Sequence, residues 1–283
     1  RALMKALVKQ FAGKMTKADR FPKPELLISL HSLAVNTATD WHRVLSDEYP
    51  YLEQHEDTIG RIYTEYAARK RALNAMDFDD LLVNGLKLLK TQDRIREMLQ
   101  EHFLHVLVDE YQDTNSLQAQ FTDILAAKNR NLMVVGDDFQ CIYTWRGAQI
   151  ENIMEFPKRW DGCRVVKLER NYRSQSGVLD VANTVMKDVQ HQFEKTLRPF
   201  RQGAGFQPQL YRMWDAHAQA ELILKLVAHL RGQGFKYKDI AILYRSHFSS
   251  IDIQLALTRA RLPFRITSGI GVFEQLHVKD VLS

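Results

Sequence analysis

No stretch of this chain stays apolar for the roughly 18 to 20 residues that a membrane helix needs. Its opening, RALMKALVKQ, lacks the long apolar core and small-residue cleavage site of a signal peptide. The expectation is an intracellular, cytoplasmic protein. Cysteine is scarce as well. Cys141 and Cys163 are too few for a disulfide framework, and no CxxC or Cys/His spacing is present that would hold zinc, so both are expected to be reduced thiols. The phosphate-cradling pattern G-x-x-x-x-G-K-[ST] is missing too. Its only candidate, Gly13-Lys14, has Val8 where the first glycine should stand and Met15 where the hydroxyl should be.

What is present is ordinary for a globular protein: 283 residues, enough for two domains, with 45% hydrophobic and 26% charged residues. A net charge of +5 favours a polyanionic partner without naming one. The chain starts at Arg1 and stops at KDVLS, which suggests a fragment.

Up to about residue 100 the pattern is helical. Ile59, Ile62, Tyr63 and Tyr66 recur at helical spacing, and FDDLLVNGLKLLK continues with a second apolar stripe. From residue 103 short apolar runs alternate with amphipathic stretches. FLHVLV, LMVV and RVVKL read as buried strands, NSLQAQFTDILAAK and SGVLDVANTVMKDV as helices. In the second helix Val178, Val181, Ala182 and Val185 form a stripe. After a connection at LRPFRQGAGFQPQ come the helix QAELILKLVAHLRGQG, the strand DIAILY, a helix around IDIQLALTRARL and the short strand FRIT. This alternation predicts an α/β fold with parallel sheets flanked by helices.

In such sheets ligands sit beyond the carboxyl ends of the strands. VLVDEYQDTN puts Asp109 and Glu110 there, where one acid can hold Mg²⁺ and the next can orient or deprotonate a water. DEYQDTN is equally readable as a polar turn capping the next helix through Thr114, Asn115 or Ser116. The next strand also ends in acids, in VVGDDFQCIYTWRGA, and adds Gln140, whose amide can touch both water and a phosphate oxygen. Tyr143, Trp145 and Arg146 follow in a loop-like setting that suits stacking on unpaired bases, at roughly 1 to 3 kcal/mol per base. The alternative is that the two aromatics are core residues. CRVVKL leads into ERNYRS, where Arg173 could reach a γ-phosphate as an arginine finger or serve as a salt-bridge partner, and Tyr172 could stack on a nucleobase.

Together VDEYQDTN, VVGDDFQCIYTWRGA and LERNYRS resemble motifs II, III and IV of the UvrD/Rep/PcrA-type superfamily 1 DNA helicases, in the family's order and at compatible spacing. MDFDDLL at 76–82 is similar to the segment before motif II. DIAILYRSHFSS and RLPFRITSGIGVFEQLHVKD are similar to the later second motor domain. The resemblance covers about residues 59–280. It implies P-loop NTPase (RecA-like) motor domains plus an N-terminal helical subdomain, divided as 1–70 (1B-like), 71–168 (1A-like) and 169–283 (2A-like).

The resemblance also implies ATP and Mg²⁺, with Asp109 on the metal, Glu110 as general base, Gln140 and Arg173 at the γ-phosphate and Tyr172 against the adenine. Tyr143, Trp145, Arg146, Phe78 and Arg245 would contact single-stranded DNA or its junction with duplex. Phe139 and Cys141 stand where the family usually has Asp and Ser, and SGIGVFE departs from the usual GGxxFFE. The phosphate loop would lie upstream of Arg1 and motifs V and VI downstream of Ser283, so the chain by itself is expected to be inactive. The function implied is an ATP-driven helicase of repair or replication. Two alternatives remain open: a non-catalytic DNA-binding protein on the same fold, and the motor of a RecB- or AddA-like helicase-nuclease.

Overall fold

The helical start follows from its apolar spacing and its stop signals. In a computed structural model that describes residues 1–13, 21–144, 147–190, 192–200 and 207–267, four helices come first. They are α1 (Ala2–Ala12), α2 (Pro24–Thr37), α3 (Trp41–Glu48) and α4 (Glu56–Ala72), with a 3₁₀ segment at Pro50–His55 before α4. Pro24 at the first turn of α2 lacks an N–H that would be unpaired there anyway, and Asp40 caps α3 by accepting from the His42 N–H. Met4 and Leu7 of α1, Leu27 and Leu30 of α2 and Leu45 of α3 close on Ile59, Ile62, Tyr63 and Tyr66 of α4, all buried. Burying each large aliphatic side chain contributes roughly 1.5–3 kcal/mol, so this cluster holds the four helices together.

Two helices then lead to the first sheet: α5 (Phe78–Thr91) and α6 (Asp93–His102). Asp77 and Asp80 form a reciprocal capping box at the start of α5, each carboxylate accepting the other's backbone N–H. Strand β1 (Val106–Val108) pairs in parallel with β2 (Leu132–Val134), with Val106 opposite Leu132 and Val108 opposite Val134, and α7 (Ser116–Ala126) makes the crossover. Val108, Leu132 and Val134 turn inward onto Tyr111, Ile153 and Phe156, while Leu107 and Met133, on the other face, are exposed. Short helices α8 (Glu151–Met154) and α9 (Phe156–Arg159) complete that core. A second parallel pair, β3 (Arg170–Asn171) with β4 (Arg198–Pro199), flanks α10 (Ser176–Met186).

The chain divides into two compact units, Arg1–Phe206 and Gln207–Ser283. In the second, α11 (Ala216–Gly232) packs on α12 (Ile251–Arg259) through Ala220, Ile253 and Leu257. Asp215 caps α11 by accepting the Ala218 N–H. No described helix is long and apolar enough to cross a membrane.

The described residues are mostly helical, with two small parallel sheets. Several expected elements differ. Of FLHVLV only Val106–Val108 is strand, because α6 runs on to His102. RVVKL forms no ladder; Val166 and Leu168 are exposed and pairing begins only at Arg170, where Arg198 comes alongside. Among the described residues DIAILY and FRIT also join no ladder, and Leu243 is 93% exposed. An apolar run becomes a strand only where a neighbour takes up its N–H and C=O groups. The α10 stripe of Val178, Val181 and Val185 faces outward, whereas Gly177 and Leu179 are buried.

Candidate functional site

Both β1 and β2 end at the same edge because they run parallel, and their following loops are stitched together there. The Val135 N–H donates to the Val108 carbonyl at 2.8 Å, and the Tyr111 N–H to the Val135 carbonyl at 2.9 Å. Between them the backbone turns sharply at Glu110, which takes the left-handed conformation with φ 51°, a region uncommon for residues other than glycine, asparagine and aspartate. Asp109 supports the turn by accepting the Glu110 N–H at 2.9 Å. Both acids are exposed. Asn115 caps α7, in a box with Gln118, so the motif is both an acid-bearing turn and a helix cap.

Gln112 is the link that the sequence does not advertise. It is 1% exposed, donates from Nε2 to Glu110 Oε2 at 2.8 Å and accepts at Oε1 from the Asp137 N–H at 2.9 Å. Asp137 Oδ2 in turn accepts from Gln140 Nε2 at 2.8 Å. A continuous chain of hydrogen bonds therefore runs Glu110–Gln112–Asp137–Gln140, joining the two loops. Gly136 is required beneath it: a Cβ there would stand 2.6 Å from Gln112 Oε1 and 2.7 Å from Ile153 Cδ1.

Lys195 closes on this chain from the segment before β4. Its Nζ lies 2.5 Å from Asp137 Oδ1, also contacts Asp138 Oδ1, and sits 4.0 Å from the centre of the Phe139 ring. The Phe193 N–H adds a 2.9 Å bond to Asp138 Oδ2. Burial pushes the Asp137 carboxyl up, but hydrogen bonds from Lys195 and Gln140 and the charge of Lys195 outweigh it, so Asp137 is held below its ordinary value. Phe139 thus supplies a ring to a cation. Cys141 points its Sγ at the Gln112 carbonyl, 3.4 Å away. Burial, then the charges of Asp113 and Glu151, push its thiol above the ordinary range, which disfavours a reactive thiolate. Both cysteines are free.

Asp113 is the remaining acid. One of its oxygens is buried without a hydrogen-bond partner, and burial followed by the Glu110 charge raises its pKa. Carboxylates of this kind suit a hard cation. Among the described residues no three His, Cys, Asp or Glu side chains form a metal cage.

The other expected site residues fall in different places. Arg173 and Tyr172 follow β3. The Arg173 N–H is held by Asn171 Oδ1 at 2.9 Å while its guanidinium is exposed and makes no bond to the Glu110–Gln140 chain among the described residues. The Tyr172 ring packs on Phe200 at 4.6 Å, with Arg170 5.9 Å from its centre, and remains 59% exposed. Phe78, at the first position of α5, is 88% exposed, and Tyr143 is exposed in the loop after β2. Arg245 is exposed in the second unit. Trp145 and Arg146 lie outside the described residues, as does SGIGVFE.

Two parallel strands end in acid-bearing loops that the buried Gln112 amide joins, an arrangement of the α/β class. Residues 1–161 match the UvrD/REP helicase N-terminal domain and residues 166–283 the UvrD-like helicase C-terminal domain. The chain belongs to the UvrD/REP helicase family. It is 37% identical over 232 residues to ATP-dependent DNA helicase Rep of Salmonella typhimurium, covering 81% of this chain and 34% of that protein. It is 35% identical over 229 residues to ATP-dependent DNA helicase PcrA of Leuconostoc citreum, covering 81% of this chain and 30% of that one. PcrA of Staphylococcus aureus is 33% identical over 231 residues, 82% of this chain and 32% of the relative. The chain thus spans about a third of the length of the curated relatives it matches.

Proposed function

We propose that this chain is the central part of an ATP-driven motor that moves along single-stranded DNA and unwinds duplex at single-strand/duplex junctions, in repair or replication. The observation that carries the reading is the Glu110–Gln112–Asp137–Gln140 chain in a member of this family. Residues 1–70 would be its helical subdomain, 71–168 the carboxyl part of the first RecA-like domain and 169–283 the start of the second.

Glu110 acts as general base, taking the proton of the attacking water at its carboxylate. Gln112 fixes that carboxylate by donating to Oε2, which lets Oε1 turn to the water. Gln140, tethered by Asp137, is positioned to report a change at the γ-phosphate back through the same bonds. Asp109 would hold Mg²⁺; when bound, the ion neutralises phosphate charge. Arg173 supplies a further positive charge to the phosphate and Tyr172 a face for the adenine. Tyr143, Trp145, Arg146, Phe78 and Arg245 grip single-stranded DNA by stacking and by charge.

The test is Glu110→Gln in the longer protein that carries this chain. DNA-stimulated ATP hydrolysis is expected to fall by about 10²- to 10⁴-fold with nucleotide binding retained. Undiminished hydrolysis removes Glu110 from the role of base.

A further inference from the structure

Asn36, near the end of α2, is a buried polar residue that the hydrogen-bond chain above does not use. It is 9% exposed, yet its amide meets two other parts of the fold besides its own helix. Nδ2 donates to Asp79 Oδ1 at 2.9 Å and to the Ser32 carbonyl at 2.8 Å; Oδ1 accepts from Asn115 Nδ2 at 2.7 Å. Ser32 Oγ donates to the same Asp79 oxygen at 3.0 Å. Gly147 rests against the other side in the left-handed conformation, φ 83°, where a Cβ would stand 2.9 Å from Asn36 Cβ.

Each of these neighbours is tied to a working part of the molecule. Asp79 follows Phe78, the exposed ring at the start of α5. Asn115 is the N-cap of α7, the helix that leaves the turn bearing Asp109 and Glu110. Gly147 closes the loop that carries Tyr143. The Asn36 amide therefore ties the start of α5 to the cap of α7, while its Cβ and backbone lie against Gly147, and it does so from the N-terminal helices. A buried network of this kind is rigid only while every member is satisfied.

We infer that Asn36 is a positioning residue, whose amide holds the Phe78 turn in register with the α7 cap so that DNA bound at Phe78 is felt at Glu110. The inference rests on the proposed function for its DNA and ATP terms, and on geometry alone for the register. If it holds, Asn36→Ala in the longer protein lowers the stimulation of ATP hydrolysis by single-stranded DNA about tenfold, within the usual range of a coupling between sites. The DNA-independent rate stays within about twofold. Asp79→Ala reproduces the loss and the double variant is no worse than either single one, since both break one network. Asp79→Asn, which keeps an acceptor for Ser32 and Asn36, restores stimulation.

An equal fall in stimulated and unstimulated rates would mean a merely structural role and overturn the inference; so would unchanged stimulation in both alanine variants. A wild-type protein with no DNA-stimulated hydrolysis removes the proposed function instead. The register claim is then decided by hydrogen exchange on the 283-residue chain. Asn36→Ala should speed exchange at the capped amides of Asp80 and Gln118 by about tenfold, leaving Ile59–Tyr66 unchanged. Unchanged Asp80 and Gln118 overturn it. Should Asn36→Ala loosen the whole chain, Asp79→Ala decides by the same amides.

Discussion

Lys70→Met separates charge from packing at the joint between α4 and α5. Lys70 is 7% exposed at the side chain, and its Nζ lies 2.7 Å from Asp77 Oδ2 and 2.6 Å from Asp80 Oδ2. It also sits 4.5 Å from the centre of the Tyr66 ring, whose hydroxyl donates to Asp77. Methionine retains the apolar stem and strands two carboxylates beside each other. Removing one partner of a fully buried pair costs about 3–5 kcal/mol. Here the carboxylates are 29% and 28% exposed, so water takes up part of the loss and about 2 kcal/mol remains at pH 7.

The dependence on pH identifies the cause. Burial raises Asp77, but the Lys70 and Asp80 hydrogen bonds and the Lys70 charge outweigh it and hold the carboxyl at about 2. A depressed carboxyl contributes stability above its unfolded value near 3.8, and the contribution is lost as pH falls towards 2. In the variant only the Asp80 and Tyr66 hydrogen bonds still oppose burial, so the carboxyl rises from its depressed value and its stabilising contribution shrinks. The gap between wild type and Lys70→Met in urea unfolding, followed by circular dichroism, should therefore narrow between about pH 5 and pH 3. A gap below about 0.5 kcal/mol at pH 7, or one that does not change with pH, refutes the reasoning.

Gly136→Ala should destabilise the first unit by about 1–3 kcal/mol, since its Cβ has no room beside Gln112 and Ile153; an unchanged thermal midpoint would show that the two loops can separate. Tyr63→Phe removes a 2.8 Å bond to the Leu27 carbonyl and should cost about 1 kcal/mol in urea unfolding. Burial raises the Tyr63, Tyr66 and Tyr111 phenols, so the wild-type absorbance titration should leave these three tyrosines lagging behind the others until the chain unfolds. Trp145→Ala should weaken binding of single-stranded DNA by about 1–3 kcal/mol, read by fluorescence anisotropy; equal affinity and equal stimulation of hydrolysis take Trp145 out of the DNA path.

Local signals in the sequence carried the helical part well. Ile59, Ile62, Tyr63 and Tyr66 fall on one helical stripe, and all four are buried. The acid turn was legible for a similar reason, since VLV ending in Asp109 and Glu110 is a contiguous signal and the strand stops where the acids begin. RVVKL shows the limit. Its composition is that of a strand, but a strand exists only with a neighbour, and that depends on residues elsewhere in the chain. The contacts that organise the site were hidden for the same reason. Gln112 meets Asp137 across 25 positions, Lys195 meets Asp137 across 58, and Asn36 meets Asn115 across 79. Buried Gln and Asn are at least visible as amides within the motifs; Lys195 carries no local sign.

Because β1 and β2 are parallel, the crossover through α7 returns to the edge opposite the acids, at Ala127–Asn131. Lys128 there is half-exposed and pairs with Glu101, also largely exposed. A dye or affinity handle attached at Lys128 would sit at the opposite end of the strands from Glu110 and Gln140, off both loops. Asn129, Arg130 and Asn131 in that turn bond back to the Gln100, Phe103, Asp161 and Leu104 carbonyls, so the end of the sheet away from the acids is anchored independently of the two loops.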